Sequence, residues 1–180
     1  MKNLKSLFSA AVLACSSMMF AAQSNAALIS ESVYVGGLEI ASMTMELDDS
    51  LIDSGLGVVY IMDDIGFDLV SWNLPISAGL PQVLNYFDAA IDVDNIFAGT
   101  EYIAMDAEDV DPVFGSWYYS IAYDFFATDF NLVQIFDDFG EVASWGGADV
   151  YTVTSVDVSE PSILALFALA LGGLVARRRA

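Results

Sequence analysis

The stretch VYTVTSVDV, from Val150 to Val158, decides the fold class. One face of the extended chain carries Val150, Thr152, Thr154 and Val156, and the residues between them fall on the other face. β-Branched side chains that recur with a period of two are typical of a strand with one buried face. The stretch therefore predicts a β-strand.

Other segments of the chain are rich in β-branched and aromatic residues as well. They are VYV and LEI on either side of Gly36-Gly37, VVYIM (Val58–Met62), YYSIAYDFF (Tyr118–Phe126) and NLVQIF (Asn131–Phe136). The Gly-Gly pair between two such segments predicts a β-hairpin. Several short strands with turn signals between them predict a mainly β protein, a β-sandwich of short antiparallel strands, with an α+β fold as the alternative.

One segment, LPQVLNYFDAAI (Leu80–Ile91), has a helical pattern. Pro81 suits the first turn of a helix. Its apolar residues recur at helical spacings, which predicts one short helix beside the strands. These residues are Val83, Leu84, Phe87 and Ile91.

The sequence also contains a weak internal echo. VYIMDDIG (Val59–Gly66) and VQIFDDFG (Val133–Gly140) share the pattern Val-x-Ile-apolar-Asp-Asp-apolar-Gly. The first Asp and the Gly of each copy suit the ends of a type I turn. Each copy therefore predicts a hairpin with Asp-Asp at its tip, and duplication and convergence explain the echo equally well.

The charge distribution excludes several functions. The chain of 180 residues has 25 acidic residues, five basic residues and no His. The segment 27–158 holds every acidic residue except Glu160 and has no cationic side chain. Such a body cannot neutralise phosphates, so we expect no nucleic-acid partner.

The same segment lacks the side chains that much enzyme chemistry requires. It has no His for general-base catalysis near neutral pH and no Lys for Schiff-base chemistry. Cys15, the only cysteine, precedes it, so it has no disulfide, thiol nucleophile or Cys/His zinc site. We therefore expect a protein that is not an enzyme.

The first 26 residues have the features of a secretory signal peptide. Two lysines precede an apolar run, and small residues precede Ala27. We expect this signal helix to be removed by signal peptidase between Ala26 and Ala27. The alternatives are a retained membrane anchor and lipidation of Cys15, because VLAC at Val12–Cys15 loosely resembles a lipobox.

The segment 159–180 is predicted to anchor the chain at the inner membrane. Its apolar run, Ile163–Ala176, would form a helix of about 21 Å, against roughly 30 Å of hydrocarbon. The arginines at 177–179 are expected to stay in the cytoplasm, which places the body outside. A short terminal anchor after a Glu-Pro turn resembles a sorting tag more than a plain tail anchor.

This end of the chain resembles the PEP-CTERM sorting signal of Gram-negative bacteria. The residues that carry the resemblance are Val158, Glu160, Pro161 and Ser162, then Gly172 and Gly173, then Arg177, Arg178 and Arg179. Ser159 stands where the motif usually has its first proline. The resemblance implies recognition by an exosortase-type membrane protease, cleavage near Glu160-Pro161, and delivery to the cell surface or to the exopolysaccharide matrix of a biofilm.

Clustered carboxylates without neighbouring cations repel one another, and Ca²⁺ relieves such repulsion by taking six to eight oxygens. The candidate metal ligands are Asp106, Glu108, Asp109 and Asp111, with Asp92 and Asp94 as a second set. The alternative is a solvated acidic surface that keeps an exported protein soluble.

Three function classes follow. We expect a structural or adhesive protein of the surface or matrix. A polysaccharide-binding module is an alternative, with Trp117, Tyr118 and Tyr119 as stacking surfaces. A glycoside hydrolase that uses two carboxylates ranks below both, because no pair can be singled out among so many acids.

Overall fold

The computed structural model describes residues 26–77, 79–111 and 115–158. Residues Ala26–Asp157 form one compact unit. The predicted lipidation site Cys15, the predicted membrane helix 163–176 and nearly all of the predicted signal peptide lie outside the described residues. Within the described ranges, no helix combines the length and the apolar character needed to cross a membrane.

The described chain is built from ten strands, joined by turns and by 3₁₀ helices of three residues each. The strands are β1 (Ala26–Val35), β2 (Leu38–Asp48), β3 (Val58–Tyr60), β4 (Phe67–Asn73), β5 (Gln82–Asp92), β6 (Thr100–Asp111), β7 (Gly115–Asp124), β8 (Leu132–Asp137), β9 (Gly140–Gly146) and β10 (Val150–Val158).

These strands form two sheets. The four-stranded sheet has the order β10-β1-β2-β4, and the six-stranded sheet has the order β3-β5-β6-β7-β8-β9. Successive strands of the six-stranded sheet pair in antiparallel fashion, as β1 does with β2 and β2 with β4. The prediction of a mainly β, sandwich-like fold is confirmed.

Alternating side chains of the strands build the core. Along β10, Val150 is buried whereas Tyr151 and Val153 are exposed, so the predicted alternation is confirmed. Burial of each large apolar side chain contributes about 1.5–3 kcal/mol. The largest fully buried apolar side chains are Phe67, Ile29, Ile40, Met45, Leu47, Leu74, Ile91, Ile103, Met105 and Ile121.

The hairpin at Gly36-Gly37 is confirmed. Val35 pairs with Leu38 across the two-residue turn. Gly36 has a φ of 56° and Gly37 a φ of 87°. A two-residue turn with positive φ at both positions matches the twist of the flanking strands, and glycine adopts that conformation without steric cost.

The predicted short helix is wrong, because residues 82–92 form strand β5. The register of β5 shifts at Leu84/Tyr86 and again at Ala90/Ile91, where β-bulges interrupt the period of two. Four consecutive residues, Asp88–Ile91, are buried. The bulges and this burial on both faces produced apolar spacings that imitate a helix.

The two copies of the internal echo differ. Val133–Gly140 forms the β8–β9 hairpin with Asp137 opposite Gly140, as predicted. In Val59–Gly66, β3 pairs with β5, and the chain then continues to β4 in the other sheet. The prediction of a hairpin at this first copy is therefore wrong.

Candidate functional site

Strand β6 separates the first set of predicted metal ligands. Asp106 is exposed and Glu108 is half-buried, whereas Asp109, on the opposite face, is 1% exposed. Asp111 ends the strand, and its side chain is outside the described part of the structure. The strand therefore does not bring Asp106, Glu108 and Asp109 to one face.

Asp92 and Asp94 organise a turn. The Asp92 Oδ1 accepts a hydrogen bond from the Asp94 N–H at 3.0 Å. The Asp94 carboxylate accepts from the N–H groups of Gly55 at 2.8 Å and Gly57 at 3.2 Å. Among the described residues, no group of three or more potential ligand side chains is arranged to hold a metal ion. Calcium binding at the two predicted sets stays a prediction.

Glu31 on β1 is a buried acid with partners. It is 1% exposed, and the Thr154 hydroxyl donates one hydrogen bond that its two carboxylate oxygens share, at 2.9 and 2.8 Å. Burial raises the pKa of this carboxyl, and the hydrogen bond from Thr154 opposes the rise. Gly99 adjoins the pair, because a Cβ there would collide with Thr154 Oγ1. The arrangement joins β1 to β10 and to the start of β6.

A depression of about 260 Å³ contains Asp109, Trp117 and Tyr119. The Tyr119 hydroxyl donates to Asp109 Oδ2 at 2.7 Å, whereas Asp109 Oδ1 is buried without a partner among the described residues. Burial, followed by the Asp109 carboxylate, raises the pKa of Tyr119. Tyr118 is 39% exposed and is not among the residues that line the depression. The three predicted aromatic residues therefore do not form one stacking platform.

A groove of about 300 Å³ crosses β3, β5, β6 and β7. Register pairs Ala90 with Tyr60 on one side and with Tyr102 on the other, and Tyr102 with Asp124. Because neighbouring strands lie about 4.8 Å apart, the backbones of the two tyrosines are about 10 Å apart, with small Ala90 between them. We call this feature the tyrosine groove, defined by Tyr60, Asp88, Ala90, Glu101, Tyr102 and Asp124.

Three carboxyl groups line the tyrosine groove. Asp88 is 6% exposed, and its Oδ1 is buried without a hydrogen-bond partner among the described residues. Burial raises the pKa of Glu101, and the nearby carboxylates of Asp92 and Asp124 raise it further. Ionised carboxylates only accept hydrogen bonds, so the groove offers acceptors and aromatic faces to a ligand.

Sequence reasoning did not find this groove. Its residues come from four separate segments of the chain, and Asp88 falls within the segment that the sequence predicts to be a helix. The usable signal was the mixture of aromatic residues with Asp and Ala in YFDAAI, at 86–91. Only the β5–β6 register shows which of these residues meet Tyr102.

The predicted signal-cleavage residues and Val158, the first of the predicted sorting residues, lie at the two ends of the described chain. Ala26 opens β1 opposite Asp48, and Ala27 is buried opposite Leu47. Val158 ends β10. The residues 159–162 and 177–179 lie outside the described ranges.

The comparison with protein families bears on this C-terminal segment. The model of the PEP-CTERM protein-sorting motif matches residues 157–179, which confirms the resemblance seen in the sequence. The motif implies export, transient membrane anchoring and processing by an exosortase membrane protease. No curated protein and no solved structure matches the chain significantly.

Proposed function

We propose that this protein is delivered through its C-terminal tag to the cell surface or exopolysaccharide matrix, where its two-sheet body has a structural or adhesive role and is not an enzyme. The single observation that carries the proposal is the PEP-CTERM motif at residues 157–179. A signal peptide at 1–26 and cleavage by signal peptidase belong to the same proposal.

The position of the tag relative to the body supports this function. Strand β10 ends at Val158, and the matched motif spans 157–179. Cleavage near Glu160-Pro161 would therefore release the ten strands intact, with almost no linker. A body that keeps all its strands after processing is suited to persist as a matrix component.

The acidic surface of the body supports assembly through bridging cations. The body has no cationic side chain between residues 27 and 158, so its carboxylates have no internal ion pairs. We propose that Ca²⁺ bridges these carboxylates to other copies or to acidic polysaccharide, because Ca²⁺ accepts oxygen ligands in flexible geometry.

The test is the fate of the chain in its native cell. The exported fraction is analysed by mass spectrometry with and without the exosortase-type protease, and with Glu160→Ala and Asp157→Asn chains. We expect body peptides in the exported fraction of the normal cell and retention in the membrane fraction without the protease. Asp157→Asn, which changes the motif edge but leaves Glu-Pro, is the matched control for Glu160→Ala.

Two results would contradict the proposal. Peptides that contain residues 164–177 in the exported fraction would show that the tail is kept. Export that is unchanged without the protease would show that the tag is not read.

The depression at Asp109 favours a second candidate, a module that binds matrix polysaccharide. Half-buried Trp117 can stack on a sugar ring, and the unpartnered Asp109 Oδ1 can accept a sugar hydroxyl. Glycan-array binding should be lost with Trp117→Ala and kept with Tyr118→Ala, which removes the neighbouring ring outside the depression. Absence of binding to every glycan would eliminate this candidate.

A further inference from the structure

We propose that the tyrosine groove binds an organic ammonium group, presented by an amino sugar or by a lysine side chain. The inference concerns the body alone and does not depend on where the chain is delivered. It rests on the aromatic residues, the carboxyl groups and the lack of any internal cation.

The groove contains a hydrogen-bond acceptor that no other group uses in the described part of the chain. Asp88 is nearly completely buried, yet its Oδ1 has no partner among the described residues. A buried acceptor without a partner is unfavourable, and a bound donor removes that cost. An ammonium carries three N–H donors and no acceptor, which complements a carboxylate.

Two tyrosines line the groove on neighbouring sides of strand β5. Tyr60 and Tyr102 pair with Ala90 from either side, and all three residues line the groove. Attraction between a cation and an aromatic face acts within roughly 6 Å of the ring centre. An ammonium above Ala90 lies between two strands that are about 10 Å apart, so both rings can reach it.

The carboxyl groups of the groove suit an organic cation better than a metal ion. Asp88, Glu101 and Asp124 line one groove, but none of the described carboxyl clusters is arranged to hold a metal ion. Calcium needs six to eight oxygens at 2.3–2.6 Å as a general rule. Dispersed carboxylates with aromatic walls suit an ammonium group, which needs only a few acceptors and is also attracted to aromatic faces.

A cation that binds the groove must come from outside the body. Residues 27–158 contain no Lys, Arg or His. Burial raises the pKa of Tyr102, with further contributions from Tyr86 and Asp88, so the phenol stays neutral. The negative charge of the groove therefore has no counterpart within the body.

The experiment measures binding to the full chain in a neutral detergent by isothermal titration calorimetry, in about 150 mM NaCl to screen general attraction. The probes are a glucosamine tetramer, the same tetramer fully N-acetylated, and Nα-acetyl-lysine methylamide, whose side-chain ammonium is free. We expect the glucosamine tetramer or the lysine derivative to bind, and the N-acetylated tetramer not to bind. Binding of only one of the two ammonium probes identifies the source of the ammonium.

Matched variants separate the groove from the acidic surface as a whole. Asp88→Asn and Tyr102→Leu should each weaken binding about tenfold. Asp106→Asn and Tyr118→Leu remove the same charge and the same ring outside the groove, and should change affinity by less than about twofold. If Asp88→Asn does not fold, the comparison of Tyr102→Leu with Tyr118→Leu still tests whether the groove binds the ammonium.

Three results would overturn the inference. One is the absence of binding for both ammonium probes. Another is equal binding of the acetylated and free tetramers, which would make the sugar ring the ligand. The third is an equal loss of affinity in groove and control variants, which would show attraction to the acidic surface in general.

Discussion

Glu31 and Asp88 are both buried acids, but their surroundings differ. Glu31 has both carboxylate oxygens hydrogen-bonded to Thr154, whereas Asp88 Oδ1 has no partner among the described residues. A satisfied buried acid connects elements of the fold, and removing its partner costs about 1–3 kcal/mol. An unsatisfied one keeps its binding capacity for a ligand. The comparison teaches that hydrogen-bond satisfaction, more than burial, separates a structural acid from a binding one.

The largest effect on the free energy of unfolding is expected at Gly99, which adjoins the contact between Glu31 and Thr154. Gly99→Ala would push a Cβ into Thr154 Oγ1, and Gly99 has a φ of 90° that only glycine adopts without strain. We expect the free energy of unfolding to fall by about 3–5 kcal/mol, measured by urea denaturation.

Gly37→Ala is the matched control for Gly99→Ala. Gly37 has a similar φ of 87°, but a Cβ there meets nothing within 4 Å. We expect it to lose about 1 kcal/mol from backbone strain alone. Equal losses at the two positions would show that the contact with Thr154 does not matter.

The next effect is expected at Thr154 itself. Thr154→Val keeps the shape of the side chain and removes the hydroxyl that donates to Glu31. The buried carboxylate then loses a donor, so we expect a loss of about 2 kcal/mol in unfolding free energy. Thr44→Val, on a half-buried position of β2, is the control. A Thr154→Val chain as stable as the control would mean that Glu31 needs no donor from β10.

A smaller effect is expected at Asp88. Asp88→Ala removes an oxygen that has no partner, so the unfolding free energy should change by less than about 1 kcal/mol, against about 3 kcal/mol for Glu31→Ala. Urea denaturation of both chains under one condition gives the comparison directly. A loss at Asp88 as large as that at Glu31 would assign Asp88 a structural role.

Much of the fold could be predicted from the sequence. Val150–Val158 alternates strictly, and Gly36-Gly37 satisfies the positive φ of its turn, so local chemistry determined both elements. The sequence failed at β5, where two bulges break the period. The position of a bulge depends on the pairing with the neighbouring strand. The sequence alone does not show which segment is that neighbour or in which register it pairs.

The two copies of the echo show the same limit. The Asp137 Oδ1 accepts from the N–H groups of Phe139 and Gly140, which closes the β8–β9 hairpin locally. Asp63 Oδ2 instead accepts from the N–H of Tyr60, behind it in the chain. Nearly identical residues thus close a turn in one copy and cap a 3₁₀ helix in the other.

The candidate site was less predictable than the fold. The tyrosine groove depends on the register of β3, β5, β6 and β7, which brings Tyr60, Ala90 and Tyr102 into one row. The predicted metal ligands in β6 were chosen for their closeness in sequence. In a strand, neighbours in sequence point to opposite faces, so that closeness does not bring Asp109 to the face that carries Asp106 and Glu108.

The smallest effect is the pH dependence that Glu31 adds to that of the acidic surface. Burial raises the pKa of Glu31 above its ordinary value of 4.5 in the folded state. The folded state then binds the proton more tightly than the unfolded state. The resulting stabilisation is complete below about pH 4.5 and is lost as the pH rises through the folded pKa.

Glu31→Gln isolates this contribution because glutamine does not titrate. We expect the unfolding free energy of the unmodified chain to rise as the pH falls from 7 to about 4.5, and to rise less in Glu31→Gln. Hydrogen bonds from Ser50 lower the pKa of Asp48, whose stabilising effect is lost only below its ordinary value of 3.8. Urea denaturation restricted to pH 4.5–7 therefore separates the two acids. Parallel profiles for the two chains would show that the pKa of Glu31 is the same in the folded and the unfolded state, and that its burial next to Thr154 adds no pH dependence to stability.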